Sequence, residues 1–222
     1  MAKTGHHWTE KETEAIAHVK SGLAVIDNVT SYVKSGVGKP SAKERALFAA
    51  AIVFAYGVWE NYVEQLAIDI TKKLSAEIDP ENVPEEIRKI LDKKTAWELS
   101  ISPGWRKLWV DHVSEKAVGG EADKFGMNTA RDGSVRYLLS LAGVNDPFSG
   151  IDKSICPAHL EESRRTVVLA LDELVTLRGE IVHTGKVPDS LMKDHVSNWR
   201  NYIEQLTVMV DLASRKQCKS LL

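Results

Sequence analysis

ERALFAAAIVFAYGVWENYVEQLAIDITKKL, residues 44–74, is the stretch whose reading decides the fold class. From Ala46 to Trp59 nearly every residue is apolar, the pattern of a helix buried on all sides. After Trp59 the apolar positions narrow to one face. Just upstream, Ser41-Ala42-Lys43-Glu44 has the form of a capping box. The serine hydroxyl accepts from the glutamate N–H, and the carboxylate reaches back to the serine N–H. The spacing predicts one long helix to about Leu74, with its first half the most buried element of the chain. The run 46–59 is too short to span a bilayer and reads as a core helix, so no membrane is expected as a partner.

Outward from this helix the period stays helical. Thr9-Glu10-Lys11-Glu12 reads as another capping box, followed by Ile16, Val19, Leu23, Ile26, Val29 and Val33 at helical spacing. SGVGKP, 35–40, ends that helix. Pro84 suits the first turn of a shorter helix to about Lys94, and Ser102-Pro103 starts another that carries Trp105, Trp109 and His112. Residues 118–128 form a loop, 134–142 a short helix stopped by Gly143, and 145–157 a second long connection. Two long helices close the chain, about 158–184 and 191–216, separated by Gly185 and Pro188. No segment has strand period. The expected fold is all-α, a helical bundle with long antiparallel helices and an extra N-terminal helix. Residues 1–42 are assigned to that first helix and its linker, and 43–216 to the helical domain.

Composition agrees with a globular chain. Of 222 residues, 43% are hydrophobic and 27% charged, with a formal net charge of −2. That balance excludes a polycation, so nucleic-acid contact would have to come from a local patch. The start, MAKTGHHWTEKE, has no apolar segment of the secretory type. Cys156 and Cys218 form no C-x-x-C pair, and a reducing cytoplasm is the expected compartment.

LRGEIVHTG, 177–185, carries the chemistry-bearing residues. On a helical wheel Leu177, Ala170, Ile181, Leu174, Leu171 and Val182 share one broad arc, and Arg178 falls near its middle. An arginine there needs a carboxylate, another subunit or an anionic ligand, because an unpaired buried charge costs several kcal/mol. His183 lies about 140° around the helix, at its C-terminal end, where the helix dipole favours the imidazolium form. A histidine there suits general acid–base work, and a guanidinium stabilises charge developing on phosphate. The spacing alone decides little, since Arg106 and His112 nearly repeat it among tryptophans that read as core.

Other candidates are weaker. Glu60 and Glu64 lie one turn apart and read as a solvated edge or as salt-bridge partners of a neighbouring lysine, with Glu60 as structural partner of Arg178 the sharper alternative. They could hold a metal, but no HExxH or Cys/His cluster accompanies them, so no metal and no cofactor are expected. Arg164, Arg165, Lys186 and Arg200, with Lys153 and Lys193, are near the Arg178 helix in sequence and are candidates for an RNA path. The competing explanation is a solvated charged face. Trp97, Trp105 and Trp109 could stack on bases, but their helical spacing favours core or interface anchors.

LDELVTLRGEIVHTG, 171–185, resembles the signature helix of the HEPN superfamily, with its arginine, histidine and small-residue-glycine ending. The segment 44–74, with Trp59, Glu60, Tyr62, Val63 and Glu64, resembles the opening helix of the RiboL-PSP-HEPN-type group. The likeness covers roughly 43–212. It implies a homodimer whose two motifs face each other in one composite, metal-independent ribonuclease site. Arg178 would stabilise the phosphate and His183 would be the acid–base residue. RNA would be the substrate, in toxin, phage-defence or RNA-processing settings, with an antitoxin or regulatory protein as a further partner. The chain departs from the pattern at Gly179, where a polar residue is common. Asn198 or Asn201 could supply that missing polar group. The alternative is a non-catalytic HEPN-like module that binds RNA, a nucleotide or a protein.

Overall fold

The computed structural model describes residues 7–33, 39–101, 104–121 and 123–222. These residues are all-α, with eight α-helices and no strand among them. In chain order they are α1 (Glu14–Ser31), α2 (Ala42–Glu77), α3 (Glu85–Leu91), α4 (Ala96–Ile101), α5 (Trp105–Val118), α6 (Asp132–Leu141), α7 (Val167–Thr184) and α8 (Lys193–Leu221). The Ser41–Glu44 capping box forms as the sequence predicts: the Glu44 N–H donates to Ser41 Oγ at 3.3 Å, and the Ser41 N–H to Glu44 Oε2 at 2.8 Å. From it α2 runs 36 residues. By length and composition α2 could cross a membrane, although half of its most apolar window is buried within the protein.

The chain divides into two compact units, and the division does not fall after residue 42. One unit, here the α7 unit, combines Ile16–Tyr62 with Gly150–Met209. The other, the α5 unit, combines the chain up to Ala15 with Val63–Ser149 and Val210–Leu222. Most of helix α1, from Ile16 onward, belongs to the α7 unit.

The α7 unit is an antiparallel arrangement of four helices. Its register is fixed by a few long-range contacts. Tyr202 of α8 donates its hydroxyl to the Val167 carbonyl at the start of α7, 2.6 Å away. Arg200 of α8 holds both carboxylate oxygens of Asp27 on α1 at 3.0 Å, and Lys193 donates to the Val33 carbonyl at 3.2 Å. On α2, Tyr62 donates to the Thr207 carbonyl at 2.8 Å. Helices α1 and α2 approach closely at Gly22, where a Cβ would lie 2.5 Å from Val58 Cγ2. Phe48, Ile52, Trp59, Leu174, Leu206 and Tyr202 are among the buried side chains that fill the space between these helices. Their burial is the main stabilising term of the unit.

The α5 unit closes around Trp109, which is fully buried and donates its indole N–H to the Leu141 carbonyl at 2.7 Å. Arg106 donates to the Ser75 carbonyl at 2.6 Å, tying α5 to α2. Asp211, 1% exposed, accepts from the Thr13 hydroxyl and from Arg215 Nε, the latter at 2.8 Å. Arg215 also donates to the Thr9 carbonyl at 3.1 Å.

Several element boundaries differ from the sequence reading, each for a local reason. Residues 7–10 form a 3-10 turn, and α1 begins only at Glu14, because Asp211 and Arg215 capture Thr13 and Thr9. The stretch 158–166 is not α-helical: it contains only a 3-10 turn at Glu162–Arg164, and Arg165 donates to the Ala158 and Leu160 carbonyls, so α7 begins at Val167. Helix α4 was not anticipated, although Thr95 and Glu98 form a capping box of the same kind as at Ser41. The Ser102-Pro103 helix start, Gly36 and His6 lie outside the described residues.

Candidate functional site

Helix α7 positions the candidate residues. It starts where Thr166 Oγ1 accepts from the Leu169 N–H at 3.3 Å, and stops at Gly185, in the left-handed region at φ 66°. The Gly185 N–H satisfies the Ile181 carbonyl at 3.0 Å. Val167, Ala170, Leu171, Leu174 and Ile181 are buried along the inner stripe, whereas Leu177 and Val182, which the wheel places in the same arc, are half-buried and 48% exposed because the arc is wider than the face that packs.

Arg178 is half-buried. Its guanidinium carbon sits 5.0 Å from the centre of the Tyr56 ring on α2. Tyr56 is itself buried, and its hydroxyl donates to Glu60 Oε1 at 2.7 Å. Glu60 therefore reaches Arg178 through the tyrosine, and the alternative of a direct Arg178–Glu60 ion pair is not formed. Among the described residues no carboxylate pairs with Arg178, and its Nε is buried without a hydrogen-bond partner.

His183 is exposed in the last turn of α7, about 140° from Arg178 around the helix. The two side chains of one chain thus leave α7 on different faces. Gly179 separates them in sequence, and a Cβ placed on it meets nothing within 4 Å. Among the described residues none requires the glycine by close approach. Val182, three positions after it on α7, is 48% exposed.

Asn201 is placed elsewhere. It is exposed on α8 and lines a cleft with Asp27, Thr30 and Arg200, whose Nη1 donates to Asn201 Oδ1 at 3.4 Å. Asn198 contacts His159 Nδ1 at 3.3 Å. Neither asparagine shares a partner with Arg178, so neither takes the role suggested for it.

The candidate RNA path is largely committed to structure. Arg164 pairs with Glu173 at 3.0 Å. Arg165 is used by the 158–162 loop, as described, and Lys153 pairs with Glu162 at 2.8 Å. Arg200, 20% exposed at the side chain, is neutralised by Asp27 and Glu204. Lys186 remains exposed, beside an open cleft of about 820 Å³ with Arg45, Glu180 and Asp189. Arg45 there pairs with Asp189 at 2.6 Å.

One feature of the α7 unit gave no sequence signal. His159 and His195 stack face to face, their rings 4.2 Å apart and 10° from parallel, with Trp199 edge-on to His159 at 5.4 Å. Burial, then the neighbouring His195, push the His159 imidazole down to about 4. The two histidines are 36 positions apart, and only the fold brings them together.

Elsewhere, His112 is half-buried and pushed down chiefly by burial, in line with a structural histidine. Both cysteines are buried, and burial pushes the Cys218 thiol up to about 12. Trp109 is core and stacks on half-buried Trp105, whereas Trp97 is exposed. Among the described residues no group of three or more His, Cys, Asp or Glu is arranged to hold a metal. No family model, curated protein or solved structure matches this chain.

Proposed function

We propose that the protein is a metal-independent, HEPN-type endoribonuclease, active as a homodimer, with Arg178 and His183 as its catalytic residues. The observation that carries this reading is the state of Arg178: a half-buried guanidinium, oriented by an aromatic face, with no carboxylate neutralising it among the described residues. Of the three partners an arginine in an apolar arc can have, another subunit or an anionic ligand fits best. His183 is exposed on another face of the same helix, so a second copy is the way to bring histidine and arginine to one phosphate. In the reaction the ribose 2′-OH loses its proton to a base and its oxygen bonds to phosphorus. The bond from phosphorus to the 5′-oxygen breaks, and an imidazolium protonates that oxygen. The products are a 2′,3′-cyclic phosphate and a 5′-hydroxyl end. Arg178 stabilises the extra charge on the phosphoryl oxygens.

The test is incubation of mixed RNA with the purified protein in EDTA. Wild type cleaves; His183→Ala and Arg178→Ala lose at least about 100-fold in rate, the scale of a missing acid–base or electrostatic group. A strictly monomeric, active protein overturns the composite site. A second reading is a non-catalytic HEPN-like module that binds RNA, a nucleotide or a protein; the ion pairs of Arg164, Arg165 and Arg200 leave few cations free to hold an RNA backbone for cutting, which weighs against cleavage. RNA binding without cleavage by wild type selects it.

A further inference from the structure

Next to the exposed face of α7 lies a cleft of about 420 Å³, lined among others by His159, His195, Trp199, Leu177, Glu173 and Glu180. Its volume falls at the lower end of the roughly 300–1,000 Å³ of small-molecule sites. Three observations give it a chemical character. The first is the imidazole stack, which offers a flat ring surface of a kind that planar heterocycles stack on. The second is Trp199: it is 2% exposed, yet its indole N–H has no hydrogen-bond partner. A buried indole N–H normally finds an acceptor, so a donor stands in this wall without one. The third is charge. No lysine or arginine lines the cleft, Glu173 is already paired with Arg164, and the exposed Glu180 forms no ion pair among the described residues. A phosphate finds no cation there, whereas an exocyclic amine finds a carboxylate.

We infer that this cleft binds a nucleobase bearing an exocyclic amine, stacked on the His159–His195 pair, with its amine toward Glu180. Burial holds the His159 imidazole down at about 4, so at neutral pH its ring adds no cation to the cleft. The inference rests on the cleft itself and not on the ribonuclease reading, and the base could arrive as a free nucleoside or as part of a single strand. His183 follows Glu180 by three positions on α7, within a turn of this cleft, while Arg178 faces Tyr56.

The experiment is calorimetric titration of the intact protein with adenosine, cytidine, uridine and AMP, and with a short single-stranded oligonucleotide. Adenosine or cytidine binds saturably, uridine at least tenfold more weakly, and AMP no more tightly than adenosine. His195→Ala weakens adenosine binding at least tenfold. Glu180→Gln, at an exposed position that leaves the fold intact, removes the preference over uridine. Oligonucleotide binding with the same His195 dependence identifies a base within a strand as the ligand; binding of nucleosides alone identifies the free form. Absence of saturable nucleoside binding, AMP binding without adenosine binding, or unchanged affinities in both variants overturns the inference. None of these outcomes depends on whether the protein cleaves RNA.

Discussion

Gly179 shows how little of the outer α7 surface is constrained by the chain itself. With nothing within 4 Å of a Cβ and no left-handed backbone, the glycine only weakens the helix. Gly179→Ala is expected to stabilise the fold by about 1 kcal/mol, raising Tm by about 2–4 °C in a thermal melt. If a second copy needs the missing side chain, the same variant loses dimer while gaining Tm, which sedimentation reads separately. Asp211 is the opposite case. Buried between Thr13 and Arg215, it leaves an uncompensated guanidinium when removed. Asp211→Ala is expected to cost about 3–5 kcal/mol in chemical denaturation. His159 sets a pH dependence. Its folded imidazole lies near 4, below the ordinary value of 6.5, so the unfolded chain takes up the proton first. Stability from this residue is full above about pH 6.5 and is lost as pH falls toward 4. Between pH 7 and 4.5, wild type should lose about 2–4 °C more in Tm than His159→Asn.

At the scale of elements, local chemistry in the sequence was read well only where the partner is also local. Ser41 and Glu44 cap α2 as their spacing predicts, because both halves of the box lie within one turn. Thr95 and Glu98 make the same box and could have been found by the same rule. Thr9 to Glu12 has the pattern but starts no helix, since its competitors, Asp211 and Arg215, stand some two hundred residues away. The same distance hid the fate of Arg200, whose partner Asp27 is 173 positions off. The inner stripe of α7 was legible from its period, but Tyr56 as the surface beneath Arg178 was not. The cap at Thr166 is testable here. Thr166→Ala is expected to cost about 1 kcal/mol by frayed α7 N–H groups, measured as a lower denaturant midpoint. Val182 is an exposed apolar side chain one turn after Arg178 on α7, so the proposed composite site has a second copy covering it. Under that reading Val182→Glu yields monomers by light scattering while the helical circular dichroism stays unchanged.

At the scale of the whole molecule, the all-α class followed from the period of nearly every segment, while the division into units did not. Periodicity reports which face of a helix is buried, not which distant helix buries it. Helices α1, α2 and α8 each contribute residues to both units, so neither unit is a continuous stretch that could be cut out at one linker.

The Thr13–Asp211 contact spans 198 positions. During synthesis the residues that α8 will capture lack these partners until the chain through Asp211 and Arg215 has emerged from the ribosome. The ordering entropy of that closure must be met before the contact returns any stabilisation. The α5 unit can accordingly close only once residues 211–215 have been made and are free to fold. A nascent chain stalled before residue 211 should hold its first segment open to protease, and one released beyond residue 215 should protect it.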